Sequence, residues 1–437
     1  MKKFYIETFG CQMNKDDSEL IRYSMLMNGF EETSSEDEAD ICIFNTCSVR
    51  EHAENRALSR IKIAGNKKTH PKTIVVAGCM AQRLGQRLID DKLADIVTGP
   101  YQAPDLGAIV AQKLQSQNPG VFLSQEISDF KERLNISMIR HSETNWHKWV
   151  TITHGCENFC AYCIVPYVRG KLISFPSEKI IQYIKELATR GVIEITLLGQ
   201  NVNQYGQDCS EIPFYKLLEK AAEIDGIKKV NFLTSHPMDF EPEIIEVIKE
   251  HDNISKSIHL PLQSGSDSIL KAMNRKYSIK DYFKIIETIN KNLKDFSIST
   301  DLIVGFPGET EEDYKNTLDA VMKIRFDEAF MYAYSPREGT PASMLKETLS
   351  REEKIERLKK LISIQRNISL EKLKARINKI EYVIGEKISK KSSQEITGKT
   401  FLNHPVVFKG SYDDIGKVIS VNILSVKGTT LVGEKIN

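Results

Sequence analysis

The apolar positions change period several times along the 437-residue chain, and each change marks a different kind of element. Short apolar runs at residues 3–8, 40–45, 73–77 and 95–98 alternate with stretches of helical spacing at 18–29, 48–64 and 82–93. In the first helical stretch Leu20, Ile21, Met25 and Leu26 share one face. Such strand–helix alternation predicts a parallel sheet covered by helices. Residues 106–114 have an apolar helical pattern, and a polar stretch through Asn118, Pro119 and His141 then reads as a connection. A second alternating series follows, with strands expected at 149–153, 194–198, 229–234, 256–260, 297–304 and 328–334. Ser177, preceded by Pro176, is the expected N-cap of a helix over 177–190. Six strands in βα alternation predict a partial (β/α)6 barrel, with its functional loops at the carboxyl ends of the strands. A long helix is expected over 350–378, opened by a capping box of Ser350 and Glu353. Short β runs at 381–384, 406–408, 418–423 and 430–432, with Gly398, Gly410, Gly416 and Gly428 among the turns, predict a small closing β-barrel. The expected fold class is therefore α/β in three parts. Residues 1–120 form an N-terminal parallel-sheet domain, 121–145 a connection, 146–373 the partial barrel and 374–437 the C-terminal β-barrel.

Charge and composition narrow the function classes. Sixty Lys and Arg against 59 Asp and Glu give a formal net charge of +1, so any nucleic-acid contact must come from a local patch. No apolar run approaches the roughly 18–20 residues of a membrane span, and Glu7, Gln12 and Asn14 interrupt any signal-peptide core near the N-terminus. A cytoplasmic, non-membrane protein is expected. Eight cysteines without an export signal then point to metal or catalysis rather than disulfides.

The cysteines fall in two sets. Cys156, Cys160 and Cys163 lie in GCENFCAYCIVPYVRG (155–170) with C-x3-C-x2-C spacing. Three soft thiolates in one short loop suit an iron–sulfur cluster or zinc. A structural zinc would want a fourth ligand; none follows at a familiar spacing, and His147 lies across the preceding apolar run. Cys11, Cys47 and Cys79 stand just past the first three expected strands, in ETFGCQMN, NTCSVRE and AGCMAQR. In a parallel sheet those turns share the carboxyl edge, so cysteines distant in sequence become neighbours. A second three-cysteine cluster site is expected, with three buried free cysteines as the plainer alternative. Cys42, in mid-strand, and Cys209, in a polar loop, are expected to be non-ligands. Polar residues crowd the ends of the barrel strands: Gly199, Gln200 and Asn201; Ser235 and His236; His259, Gln263 and Ser264; Asp301, Gly305, Gly308 and Glu309. No Ser/His/Asp arrangement or Walker-type phosphate loop is present.

The cysteine loop, with Tyr162 before its third cysteine, resembles the radical S-adenosylmethionine (radical-SAM) signature. That resemblance independently implies a partial (β/α)6 barrel and a [4Fe-4S] cluster whose open iron chelates SAM for reductive cleavage. It further implies that Gly199 and Gln200 contact the amino group of SAM, and Ile303 and Gly305 its adenine. The phrases ITGKTFLNHPVVFKG and DDIGKVISVNI resemble the TRAM domain, an RNA-binding module. Lys387, Lys390, Lys391, Lys399, Lys409 and Lys417, with Tyr382, Phe401, Phe408 and Tyr412, are its candidate RNA-facing residues, about half of the aromatics being core.

Two cysteine triads followed by a TRAM-like tail resemble the methylthiotransferases over essentially the whole chain. LLGQNVNQYG, TSHP, HLPLQSGS, IVGFPGET and YSPREGTPA resemble the branch that modifies prenylated adenosine in tRNA. The resemblance implies two [4Fe-4S] clusters, on Cys156, Cys160 and Cys163 and on Cys11, Cys47 and Cys79, with two SAM molecules used, one for radical cleavage and one as methyl donor. The implied reaction is methylthiolation at C2 of N6-isopentenyladenosine-37, beside the anticodon. Implied partners are the tRNA anticodon stem-loop, a reducing donor such as flavodoxin or ferredoxin and an unidentified sulfur donor, with the enzyme a monomer. Sister branches acting on threonylcarbamoyladenosine or on a ribosomal-protein aspartate are the alternatives, and a non-catalytic Fe–S RNA-binding protein is the reading from a different class. Two departures stand out: His154 where the family usually has an acidic residue, and KLISFP (171–176) where it usually has an arginine-rich run.

Overall fold

The computed structural model describes residues 1–49, 51–66, 72–116, 118–124 and 146–436. Residues 125–145 of the connection expected over 121–145, His141 among them, lie outside the described residues, and its first two residues belong to a strand, Gly120–Phe122.

The N-terminal segment builds a six-stranded, all-parallel sheet in the order β2-β1-β3-β4-β5-β6. Its strands are β1 (Lys3–Thr8), β2 (Glu31–Glu32), β3 (Ile41–Thr46), β4 (Thr73–Gly78), β5 (Ile96–Thr98) and β6 (Gly120–Phe122). Four were legible as apolar runs. The two edge strands β2 and β6 were not, being two and three residues long. The main helices are α1 (Gln12–Met27), α2 (Glu51–Gly65), α3 (Cys79–Leu84) and α4 (Leu106–Ser116). Apolar cores lie on both faces of the sheet, one including Phe44, Ile61 and Val76, the other Phe4, Ile43 and Leu106. The first helix, expected over 18–29, runs from Gln12 to Met27. The helix expected over 82–93 begins instead at Cys79, stops at Leu84 and resumes only over Arg87–Asp90. Ser177 is not an N-cap: Pro176 holds that position, and the Ser177 N–H donates to the Glu211 carboxylate at 3.0 Å.

The central segment supplies six parallel strands in two groups of three: β7 (His147–Thr151), β10 (Glu194–Leu198) and β11 (Lys229–Phe232), then β12 (Ser257–His259), β13 (Ser297–Val304) and β14 (Glu328–Ala333). A lone parallel bridge from Val230 to Ile254 links the groups. β8 (Thr153–His154) and β9 (Ile173–Ser174) make a small antiparallel pair beside the cysteine loop. β7 and β14 are not paired, so the barrel is open along one side. This is the partial barrel expected from the sequence. Its large core of Val, Ile, Leu and aromatic side chains packs strands against the outer helices.

The last segment begins with a helix over Arg351–Lys374, whose Ser350–Glu353 capping box is present as expected. The strands β15 (Ile380–Ser389), β16 (Ser392–Thr400), β17 (Pro405–Lys409), β18 (Val418–Lys427) and β19 (Thr430–Lys435) then close a five-stranded barrel. β16, SSQEITGKT, is too polar to stand out as a β run. Phe408 is core, whereas Tyr382 and Tyr412 are exposed.

The outer domains cap opposite ends of the open barrel. The turn between β16 and β17 stops the amino end. There Lys229 Nζ, fully buried, donates to Thr400 O at 3.1 Å and Asn403 Oδ1 at 2.8 Å, and pairs with Glu194 at 3.2 Å. Ser255 Oγ donates to Phe401 O at 2.7 Å and Ser297 Oγ to Leu402 O at 2.9 Å. The N-terminal domain reaches the opposite region from both rims of the opening. Along the first strand Thr151 Oγ1 donates to Asp16 at 2.7 Å and Lys148 pairs with Glu19 at 3.2 Å. Past the last strand Ser335 Oγ donates to Glu51 at 2.5 Å and Arg83 pairs with Glu338 at 3.6 Å. No helix among the described residues is long and apolar enough to cross a membrane.

Candidate active site between two cysteine triads

Parallel register brings the first triad together. Thr8 pairs with Asn45 and Thr46 with Gly78, so the strands β1, β3 and β4 end level. Cys11 follows as the residue before α1, Cys47 leads towards α2, and Cys79 opens α3. A buried amide network fixes these turns. Asn14 Nδ2 donates to Asn45 Oδ1 at 3.2 Å and Thr46 O at 3.0 Å, and Asn45 Nδ2 returns bonds to Asn14 O at 2.7 Å and Ser18 Oγ at 2.9 Å. Gly10 has φ +123°, and a Cβ there would stand 2.4 Å from Cys47 Cβ. Only glycine suits that close approach.

The second triad sits on a loop pinned from several sides. Cys156 N donates to Gly170 O at 3.2 Å, Ala161 N to Met273 O at 2.9 Å, and Ala342 N to Ala161 O at 2.8 Å. Asn274 Nδ2 holds Phe159 O at 2.8 Å. At Gly155, with φ +74°, a Cβ would fall 1.8 Å from Lys171 O, so the loop can double back only on glycine.

One cavity of about 280 Å³ is lined by Cys11, Cys47, Cys79, Cys156, Cys160 and Cys163. All six predicted cysteines therefore face a common space, while Cys42 is buried in its strand and Cys209 is exposed, neither lining it. Burial raises the Cys79 thiol above its ordinary value, and it lifts Cys156 to about 11 and Cys163 further. The contact with Cys47 draws Cys11 down to about 6, and the same contact with burial pushes Cys47 up. Sulfurs this crowded and dry resist carrying several negative charges without a metal, so the donor set suits positively charged iron. Among the described residues, no group of three or more His, Cys, Asp or Glu side chains could hold a single metal ion. A cubane meets each cysteine at a different iron, so its ligands stand farther apart than those of one zinc.

Gly199 and Gln200 line the cavity as expected, together with Asn201, Ser235, His236, Gln263 and Asp301. Gln200 Oε1, Asn201 Oδ1, Ser235 Oγ and Gln263 Oε1 are buried without a hydrogen-bond partner. Four such atoms turned to one cavity suit a polar ligand. Ile303 and Gly305 do not line the cavity. Ile303 packs against the cluster of Ala161, Met273 and Phe306, and Gly305 N bonds Glu309 Oε1 at 2.8 Å, with the Lys354 side chain where a Cβ would stand. Sequence reasoning missed two buried arginines. Arg275 NH1 donates to Cys160 Sγ at 3.5 Å and its NH2 to Pro261 O at 2.9 Å. Arg169 Nε donates to Cys79 Sγ at 3.1 Å. A polar residue inside the apolar stretch CIVPYVRG was the available signal for Arg169; nothing in NRKY distinguished Arg275.

Comparison with known proteins agrees with this geometry. The radical SAM superfamily matches residues 150–321, and uncharacterized protein family UPF0004 matches residues 3–99. Solved radical-SAM enzymes share the fold. The methyltransferase TsrM from Kitasatospora setae, solved with tryptophan and aza-SAM, superposes with TM-score 0.55 at 10% identity, over 79% of this chain and 75% of that one. The cobalamin-dependent SAM radical enzyme OxsB gives TM-score 0.51 at 11% identity, over 82% and 56%. Curated relatives are far more similar in sequence. The tRNA-2-methylthio-N(6)-dimethylallyladenosine synthase of Thermoanaerobacter pseudethanolicus is 43% identical over 99% of this chain and 92% of its own. The synthase of the same name from Natranaerobius thermophilus is 40% identical over 99% and 96%, and that of Moorella thermoacetica 38% over 100% and 99%. With the double cysteine site on a parallel sheet and an open radical-SAM barrel, and with identity of this level from end to end, the chain belongs to the tRNA-2-methylthio-N(6)-dimethylallyladenosine synthase family of radical-SAM methylthiotransferases.

Proposed function

We propose that this enzyme methylthiolates C2 of N6-isopentenyladenosine at position 37 of tRNA. The observation that carries the reading is the common cavity faced by both cysteine triads. Cys156, Cys160 and Cys163 would hold one [4Fe-4S] cluster with SAM at its open iron, and Cys11, Cys47 and Cys79 a second. When bound, these groups supply reductive SAM cleavage and the sulfur to be transferred, chemistry that no side-chain base could offer at an unactivated C–H bond. The chain's own residues orient and enclose. Gln200, Asn201, Ser235 and Gln263 present the orphaned oxygens to which a SAM amino group or ribose hydroxyls can bond. Leu198, Leu233, Pro261 and Val165 supply apolar wall, which keeps water from a radical intermediate. Ile303 and Gly305, at the end of β13, would meet the adenine of SAM.

The C-terminal barrel would grip the anticodon stem-loop through its lysines and the exposed Tyr382 and Tyr412. A flavodoxin- or ferredoxin-type donor would reduce the first cluster. The enzyme would work as a cytoplasmic monomer, with its division at 1–120, 121–145, 146–373 and 374–437.

Anaerobic reconstitution with SAM, a strong reductant and isopentenylated tRNA tests the reading. Mass spectrometry of the digested nucleosides should find one hydrogen of that adenosine replaced by a methylthio group. Formation of 5′-deoxyadenosine with an unchanged nucleoside would put the substrate assignment aside. Gly10→Ala should specifically harm the N-terminal triad, because its new Cβ collides with Cys47. Iron per chain is expected to fall by about half, with 5′-deoxyadenosine formation retained. Full iron content in that variant would argue against the second cluster.

A further inference from the structure

Arg169 belongs to the radical-SAM loop by sequence but to the other triad by contact. It ends the short helix Val165–Arg169, two turns beyond Cys163. Its guanidinium is 2% exposed and all three nitrogens are engaged. Nε donates to Cys79 Sγ at 3.1 Å, NH2 pairs with Asp17 on α1 at 2.5 Å, and NH1 lies 3.0 Å from His154 Nε2. Arginine has no acceptor, so His154 Nε2 must accept, which places the ring proton on Nδ1. The Arg169 carbonyl oxygen in turn accepts the Tyr101 hydroxyl of the N-terminal domain. Cys79 also packs directly on Ile164 and Val168 of this loop.

A fully buried cation costs several kcal/mol to desolvate unless the site compensates it. Among the described residues Asp17 is the carboxylate bonded to Arg169, and an iron-bound thiolate at Cys79 would be a second anionic partner. The side chain thus runs from the loop that carries one triad to a sulfur of the other. Hydrogen bonds to ligand sulfur and nearby positive charge raise the potential of an iron–sulfur cluster by favouring its reduced, more negative state.

We propose that Arg169 is a positioning residue for the N-terminal triad: supplied by the radical-SAM loop and locked by Asp17 and His154, it fixes the sulfur site against the radical-generating loop and tunes its potential. The proposal rests on the reading that Cys11, Cys47 and Cys79 hold a cluster. It concerns the coupling of the two sites, not the generation of the radical.

The test uses the full chain reconstituted with iron and sulfide. In a background with Cys156, Cys160 and Cys163 all changed to Ala, only the N-terminal cluster can remain, and its midpoint potential and electron paramagnetic resonance spectrum are read directly. Arg169→Gln should shift the potential to more negative values and alter the spectrum, and Arg169→Lys, which keeps the charge, should restore part of the shift. In the otherwise unaltered enzyme, Arg169→Gln should lower methylthiolated product per 5′-deoxyadenosine by about tenfold, as outer-sphere changes commonly do. Asp17→Asn leaves the guanidinium in place with a neutral anchor: it should lower the product ratio less than Arg169→Gln does, and should move the potential to less negative values, because a nearby negative charge is lost. An unchanged potential and an unchanged product ratio in Arg169→Gln would overturn the proposal. Equal loss of iron from both triads in the Gln and Lys variants would also overturn it, as a purely structural effect. Absence of any cluster from the triple-Ala parent would instead overturn the reading beneath it.

Discussion

Cys47→Ala is expected to abolish methylthiolation while leaving SAM cleavage in place. Cys47 faces the cavity from the carboxyl edge of the N-terminal sheet, on a different element from the Cys156–Cys163 loop. Losing a direct ligand should exceed the roughly 10–100-fold penalty typical of outer-shell changes, so product formation should drop by at least about a hundredfold. Cys156→Ala is the counterpart: it should remove 5′-deoxyadenosine and product together. The two variants assayed side by side divide the reaction between the triads. If Cys47→Ala still made methylthiolated nucleoside at the parental rate, the N-terminal triad would be structural.

Lys229→Met should be the most destabilising single change at the amino end of the barrel. Lys229 is fully buried, and its removal strands the Glu194 carboxylate, which lies 3.2 Å away. Burial by itself would raise Glu194, but Lys229 and His147 together hold it below the usual carboxylate range, as an ionised partner requires. Breaking one half of a buried pair costs about 3–5 kcal/mol. Because the folded-state value is depressed, the carboxylate contributes stability at pH values above the ordinary Glu range and loses it as pH falls through the folded value. The urea midpoint of Lys229→Met should fall sharply at neutral pH, and Glu194→Gln added to it should recover part of the loss. An unfolding free energy within about 1 kcal/mol of the parent would mean that solvent reaches this pair.

The sequence made the sheet, the open barrel and both triads legible because each is written in strong local signals. Apolar runs gave the central strands, and a cysteine past each of three strands gave a shared edge. What stayed hidden is tertiary. The edge strands β2 and β6 are too short for a period, and β16 has Ile396 as its one apolar side chain. Ile303 and Gly305 stand outside the cavity's lining because strand-end position alone does not say which side of the turn faces it. Arg169 and Arg275 answer charges brought near by folding, with partners 90 and 115 residues away, so spacing could not reveal them.

The turn that stops the amino end of the barrel also sets an order of events during synthesis. Lys229 is made 171 residues before Thr400, its acceptor, and Ser255 waits 146 residues for Phe401. Contacts of such separation form late, and an emerging barrel would hold its buried lysine without these partners. The catalytic barrel therefore reaches full stability only after the C-terminal β-barrel has left the ribosome. A chain released early lacks its floor and is a natural target for proteolysis.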